Sequence, residues 1–210
     1  MKLYYFFDPL CGWSYGFHAV LNEIKSQFPE CPIHVICGGM MSPRHEKYVG
    51  DDGQYYLNLL PHLENKTGVH FGDAYKERLE KGDLFLSSLK PSSAINIVST
   101  LHPEYTLDFI ECLHEQLFIY GQDLQSSDAI AQAAEACGLN GLEIAAEFTQ
   151  VQWLDLAFRD FSFTAEMGIT TFPTLIASCN QQLHLLANGY ENYGTVEARL
   201  VQIRESVLAW

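Results

Sequence analysis

The residues of this chain best placed to do chemistry are Cys11 and Ser14, within Phe7-Asp8-Pro9-Leu10-Cys11-Gly12-Trp13-Ser14. The run before them, Lys2–Phe7, is apolar and aromatic and reads as a strand. From Gly12 the apolar residues recur at helical spacing. A cysteine at that junction faces the unpaired N–H groups of the helix's first turn. Those groups and the macrodipole favour an anion, so the position favours a thiolate. A thiolate can attack a disulfide and can leave again from one. Closing an internal disulfide would need a second cysteine three residues on, and Ser14 stands there instead. Its hydroxyl can donate to the thiolate, which would lower the thiol pKa further.

A lowered pKa helps attack less than it helps release. Moving a thiol from about 8.5 to about 6 raises its ionised fraction at neutral pH roughly 30-fold. Nucleophilicity falls by roughly 13-fold over the same change, so the net gain in attack is only about twofold. The larger effect is on departure, which suits a cysteine that is repeatedly capped and released. With no partner three residues on, Cys11 has three uses open to it. Glutathione or another external thiol resolves its adduct; it isomerises substrate disulfides; or a cysteine elsewhere in the chain resolves it.

Other candidates divide between chemistry and plain structure. Trp13 shields the thiol and contacts substrates, or simply packs. Asp8 is a turn residue, or a negative charge that opposes ionisation of Cys11. His18 lies about two helical turns in and reads as a core-edge or surface residue. Cys31, Cys37, Cys112, Cys137 and Cys179 sit in apolar or helical surroundings and read as buried small hydrophobes. No Cys-x-x-Cys and no metal-ligand spacing occur, and no Ser-His-Asp or paired-carboxylate arrangement is identifiable from spacing.

The elements that must position Cys11 follow in order. A helix over residues 12–28 carries Phe17, Val20, Leu21, Ile24 and Phe28. Pro29 and Pro32 end it, and Ile33–Cys37 is a second strand closed by Gly38-Gly39. This is a βαβ unit with a right-handed crossover. From Met40 to Met167 the pattern spells helices and no strand: 52–64, 74–80, 92–101, 105–120, 128–137, 142–150 and 152–167. Strand character returns at 174–178. Asn180-Gln181 reads as a hairpin turn, 183–187 as the returning strand and Asn188-Gly189 as another turn. A last helix spans 195–208, with Val196, Leu200, Ile203, Val207 and Leu208 as its apolar face. The expected fold is α/β: βαβ plus ββα in one four-stranded mixed sheet, interrupted by an all-helical insertion. Residues 1–40 and 168–210 would form one discontinuous domain and 41–167 the inserted one.

Composition narrows the partners. A hydrophobic fraction of 48% supports a substantial core. The formal net charge of −14 argues against nucleic acid and anionic membrane surfaces. Neither a secretory signal pattern nor an apolar stretch of membrane-spanning length is recognisable, and free thiols are the default, so a cytoplasmic location is expected. The exposed part of the helical insertion is the expected place for a homodimer contact.

Asp8, Pro9, Cys11 and Trp13 match the Asp-Pro-x-Cys-x-Trp-Cys opening of FrnE-like proteins, with Ser14 as the departure. Gly168-Ile169-Thr170-Thr171-Phe172-Pro173-Thr174-Leu175 resembles the loop whose cis-proline faces the active cysteine in the same group. The chain therefore resembles the DsbA-like branch of the thioredoxin superfamily, and within it the FrnE-like predicted dithiol-disulfide isomerases. The resemblance implies a thioredoxin fold and thiol–disulfide oxidoreductase or isomerase activity. It also implies Cys11 and Ser14 as catalytic residues and Gly12, Trp13, Phe172 and Pro173 as substrate contacts. It implies no metal or tightly bound cofactor, with glutathione as a co-substrate; the partners are protein or small-molecule thiols and disulfides. Kappa-class glutathione transferases and hydroxychromene-carboxylate isomerases resemble the same architecture. They carry serine where this chain has Cys11, which counts against them. A thioredoxin-fold binding module without turnover is the third alternative.

Overall fold

The computed structural model describes residues 1–208, with side-chain surroundings through residue 205. Strand β1 (Lys2–Phe7) is apolar on both faces because both are covered. Leu3, Tyr5 and Phe7 point to one side, into the main core. Phe6 points to the other, against Ile36 and Ile176, with Met167 and Phe172 packed alongside. Helix α1 (Gly12–Gln27) buries Phe17, Val20, Leu21 and Ile24 on the first side. It closes at Phe28, whose N–H donates to Ile24 O at 2.8 Å just before Pro29. Strand β2 (Ile33–Cys37) then lies parallel to β1, with Leu3 opposite Ile33 and Phe7 opposite Cys37.

The next segment carries most of the helices. Two short strands, β3 (Lys47–Tyr48) and β4 (Phe85–Leu86), pair antiparallel within it, flanking α2 (Gly53–Thr67) and α3 (Asp73–Lys81). The segment is therefore not all-helical, contrary to the sequence pattern. Two-residue strands are too short to show a period. Then come α4 (Leu89–Leu101), α5 (Thr106–Phe118), α6 (Ser127–Ala136), α7 (Gly141–Glu147) and α8 (Val151–Glu166). Helix α4 starts at Leu89, three residues before the expected start, with Pro91 in the first turn where its missing N–H costs nothing. Helix α8 is fastened to the end of β2. Cys37 N–H donates to Asp160 Oδ2 at 3.4 Å, and Thr164 Oγ1 donates to Cys37 O at 3.2 Å.

Strand β5 (Thr174–Cys179) returns antiparallel to β1, with Phe6 opposite Thr174, and β6 (Gln182–Asn188) pairs antiparallel to β5. Asn180 and Gln181 both have positive φ, the conformation a two-residue hairpin needs. The sheet order β2-β1-β5-β6 is the expected four-stranded mixed sheet. Helix α9 (Tyr193–Leu208) packs Val196, Leu200 and Ile203 inward; the side chains of Val207 and Leu208 lie outside the described residues. Among the described residues no helix is long and apolar enough to cross a membrane.

Candidate active site

The turn from β1 into α1 is held by Asp8. Its Oδ1 accepts from Leu10 N–H at 3.0 Å and from Ser88 Oγ at 3.0 Å, and its Oδ2 accepts from Met40 N–H at 2.7 Å. Ser88 Oγ in turn accepts from Met41 N–H at 2.9 Å. Both of the roles that the sequence left open for Asp8 are therefore present. It is a turn residue, and it is a fully buried carboxyl beside Cys11. Burial pushes its pKa up to about 6 against these three donors and the backbone N–H of Gly39.

Cys11 is the N-cap residue of α1, in extended conformation. Its thiol lies 3.6 Å from the carbonyl oxygen of Phe172, across the gap between the two motifs. The peptide bond between Phe172 and Pro173 is cis. Phe172 reaches this place because its ring lies against Gly38. A Cβ there would come within 2.1 Å of the ring, so only glycine fits. The ring belongs to the far-side cluster with Phe6 and Ile36, so it is the backbone of Phe172 that faces the sulfur. Pro173 is buried at the head of β5, and its carbonyl accepts from Gly189 N–H at 2.7 Å.

The pKa of Cys11 is the main departure from expectation. The helix terminus alone would lower it. Cys11 is only 7% exposed, however, and burial raises its pKa above the ordinary thiol value. The Ser14 hydroxyl and the backbone N–H groups of Ser14 and Trp13 work in the opposite direction, and Asp8 adds to the rise. Ser14 is fully buried, and its Oγ closes no hydrogen bond of ordinary geometry. Its backbone carbonyl accepts from Tyr5 Oη at 3.4 Å. Gly12 lets the helical block approach: a Cβ there would meet Leu63 at 3.2 Å and Phe71 at 3.3 Å.

Trp13 is half-buried, edge-on to His62 at 5.7 Å between ring centroids and tilted against Tyr190 at 6.1 Å. It borders an open groove of about 580 Å³ with mixed polar and apolar surface, shared with Lys66 and His62 from α2, Thr171 and Phe172, and Tyr190, Glu191 and Asn192 before α9; Glu191 is ion-paired with Arg199 at 3.2 Å. The structure thus gathers Cys11, Gly12, Trp13, Ser14, Phe172 and Pro173 at one end of the sheet. His62, Lys66, Tyr190 and Asn192 were not among the residues that the sequence singled out. His18 is a buried core residue, with Nε2 3.1 Å from Glu111. His114, fully buried among Phe7, Tyr15 and Phe118, has its pKa pushed down to about 3 by burial. All six cysteines are free.

A sheet of this order, a helical block between its second and third strands, and a cysteine capping the first helix opposite a cis-proline define a thioredoxin-type architecture. Residues 4–198 match the thioredoxin family model, and the chain belongs to the thioredoxin family. Its fold is similar to that of a Nitrosomonas europaea protein provisionally described as a protein disulfide isomerase. The TM-score is 0.83, with 19% identity over 98% of both chains. It is also similar to the cytosolic disulfide reductase DsbM of Pseudomonas aeruginosa, with TM-score 0.82 and 20% identity over 99% of this chain and 100% of that one. DsbM has also been crystallised with GSH. In sequence, the chain is 24% identical over 180 residues to the ClpXP adapter protein SpxH of Halalkalibacterium halodurans. That match takes in 84% of this chain and spans 58% of the length of the adapter.

Proposed function

We propose that this protein is a thiol–disulfide oxidoreductase that works through Cys11 alone and uses glutathione as the resolving thiol. The observation that carries this is the placement of a helix-capping thiol 3.6 Å from the Phe172 carbonyl, with serine where an internal resolver would stand. The groove beside Trp13, with Lys66 and Glu191 in its lining, suits an extended tripeptide that carries both carboxylates and an ammonium group. Lys66 supplies a cation for a carboxylate, and the loop at Thr171 and Phe172 offers backbone for an added extended segment. DsbM crystallised with GSH gives the same ligand a precedent on this fold. A reducing compartment such as the cytosol would supply it.

The chemistry balances with one protein sulfur. Cys11 first loses its proton to solvent. Its thiolate attacks the glutathionyl sulfur of a mixed disulfide, forming Cys11–S–S–glutathione and expelling the other half as a thiolate. A second glutathione thiolate attacks the glutathionyl sulfur of that adduct, releasing glutathione disulfide and restoring Cys11. Glutathione is oxidised and the substrate disulfide is reduced. The backbone N–H groups of Trp13 and Ser14 and the Ser14 hydroxyl hold the departing Cys11 sulfur. Because burial holds the resting sulfur as a thiol at neutral pH, exchange should quicken as pH rises toward the Cys11 pKa.

Mass spectrometry after exposure to glutathione disulfide tests this directly. The expected result is one glutathione adduct, on Cys11, removed by reduced glutathione. A folded protein whose Cys11 takes no adduct at any pH would favour the alternative of a binding module, the role suggested by the adapter relative's name. A reductive assay comparing the native chain with Ser14→Cys then separates general dithiol reduction from monothiol exchange. Precipitation of reduced insulin should appear only in the variant.

A further inference from the structure

Trp13 also borders a second hollow, of about 160 Å³, and Cys11 forms part of its wall. The rest of that wall is mainly apolar, with the rings of Tyr56 and Tyr75 as its polar-tipped members, and is built from both parts of the fold. Leu10, Met40 and Met41 come from the segments beside the thiol, and Leu60, Leu63 and Phe71 from the helical block. Among the described residues no charged side chain lines it. A dry apolar cavity of about 150 Å³ is enough to take up benzene. Two methionines let such a wall adjust to its contents. The open groove beside Lys66 can hold the glutathionyl half of a disulfide, which leaves this hollow to receive what is on the other sulfur.

We infer that the hollow receives a benzyl-sized apolar group, so that the preferred substrates are mixed disulfides of glutathione with small apolar thiols. This rests on the glutathione exchange proposed above and names the other half of its substrate. A polypeptide segment is disfavoured, because a hollow of about 160 Å³ takes one side-chain-sized group, and the hydroxyls of Tyr56 and Tyr75 cannot pair a run of N–H and C=O groups. In the exchange, Cys11 attacks the glutathionyl sulfur and the disulfide of the substrate breaks. The apolar thiolate leaves and takes a proton from water. One glutathione then regenerates Cys11 as glutathione disulfide forms. The net change is mixed disulfide plus glutathione to apolar thiol plus glutathione disulfide.

The test uses the full chain and two substrates whose leaving thiols are of similar basicity, the glutathione mixed disulfides of benzyl mercaptan and of 2-mercaptoethanol. Toluene serves as an unreactive probe. The expected kcat/KM ratio favours the benzyl compound by about tenfold to a hundredfold. Toluene should raise the melting temperature and compete with the benzyl substrate. Leu60→Phe, which fills the hollow, should bring the ratio close to one. If that variant does not fold, toluene competition in the native chain decides. Equal turnover of both substrates with no effect of toluene overturns the inference and leaves glutathione exchange standing. Faster turnover of a glutathionylated peptide with phenylalanine beside its cysteine overturns the small-thiol assignment. If neither substrate turns over, the substrate assignment fails together with the exchange. A toluene-dependent rise in melting temperature would then show that the failure lies in the exchange and not in the hollow.

Discussion

Cys11 and Cys37 leave neighbouring strands at the same end of the sheet, and their surroundings set them apart. Both are buried, and burial raises both pKa values, that of Cys37 well above the ordinary range. Asp8 opposes ionisation of both. Around Cys37 the Asp160 carboxylate opposes it as well, the Ser92 hydroxyl favours it, and the backbone N–H and carbonyl of Cys37 are taken by Asp160 and Thr164. Around Cys11 are two backbone N–H groups, a hydroxyl, the Phe172 carbonyl and open space. Exposure alone would rank the two sulfurs almost together. What separates them is what meets the charge once it forms, and whether a second sulfur can approach.

The contrast can be tested at five sites. The largest effect concerns turnover itself. Cys11→Ala should lower glutathione-dependent exchange by about a thousandfold or more, while Cys37→Ala should leave it within about threefold. Steady-state reduction of a mixed disulfide measures both. Alkylation with iodoacetamide should likewise label Cys11 in the folded protein and Cys37 only after denaturation.

Next is the buried carboxyl. Asp8→Ala leaves three donors without an acceptor and should cost about 3 kcal/mol in denaturant unfolding. Its pH dependence has a definite sign. A carboxyl raised to about 6 contributes stability that is complete below about pH 4 and is lost as pH rises through 6. Asp160, also raised to about 6 by burial, acts in the same sense. His114 acts in the opposite sense. Its pKa is depressed to about 3, so its contribution is complete above about pH 6.5 and is lost as pH falls. Asp8→Asn should therefore steepen the loss of stability between pH 6 and 4, seen as a larger drop in the unfolding midpoint than the native chain shows.

Smaller effects follow at the rim. Ser14→Ala should raise the pH midpoint of Cys11 alkylation by about one unit, because it removes a group that favours the thiolate. An unchanged midpoint would make Ser14 a packing residue. Lys66→Gln should raise the KM for glutathione about threefold with kcat unchanged, the loss expected for one exposed ion pair. A fall in kcat alone would mean that Lys66 does not bind the glutathione carboxylate.

Much of the frame was legible in the chain because it is written locally. Lys2–Phe7 is apolar throughout, the period of α1 is plain, and Asn180-Gln181 marks its hairpin. Cys11 and Pro173 could be brought together only through the two family-like motifs, since 161 positions separate Cys11 from Phe172. Long-range packing hid the rest. The helix terminus at Cys11 can be read from sequence, but the apolar wall that buries the turn comes from Met40, Leu63 and Phe71, far along the chain. The sign of the pKa shift was therefore out of reach. His62, Lys66, Tyr190 and Asn192 lie on separate elements and share no spacing that would have grouped them.

The carboxylate of Asp8 ties together stretches far apart in the chain: its own turn, the exit of β2 at Met40, and, through Ser88, the head of α4. It works as a knot between the sheet and the inserted helices, drawn beside the reactive sulfur. The group that fastens the helices to the sheet is thus also one of the groups that set the acidity of the thiol, so anchorage and reactivity share one side chain.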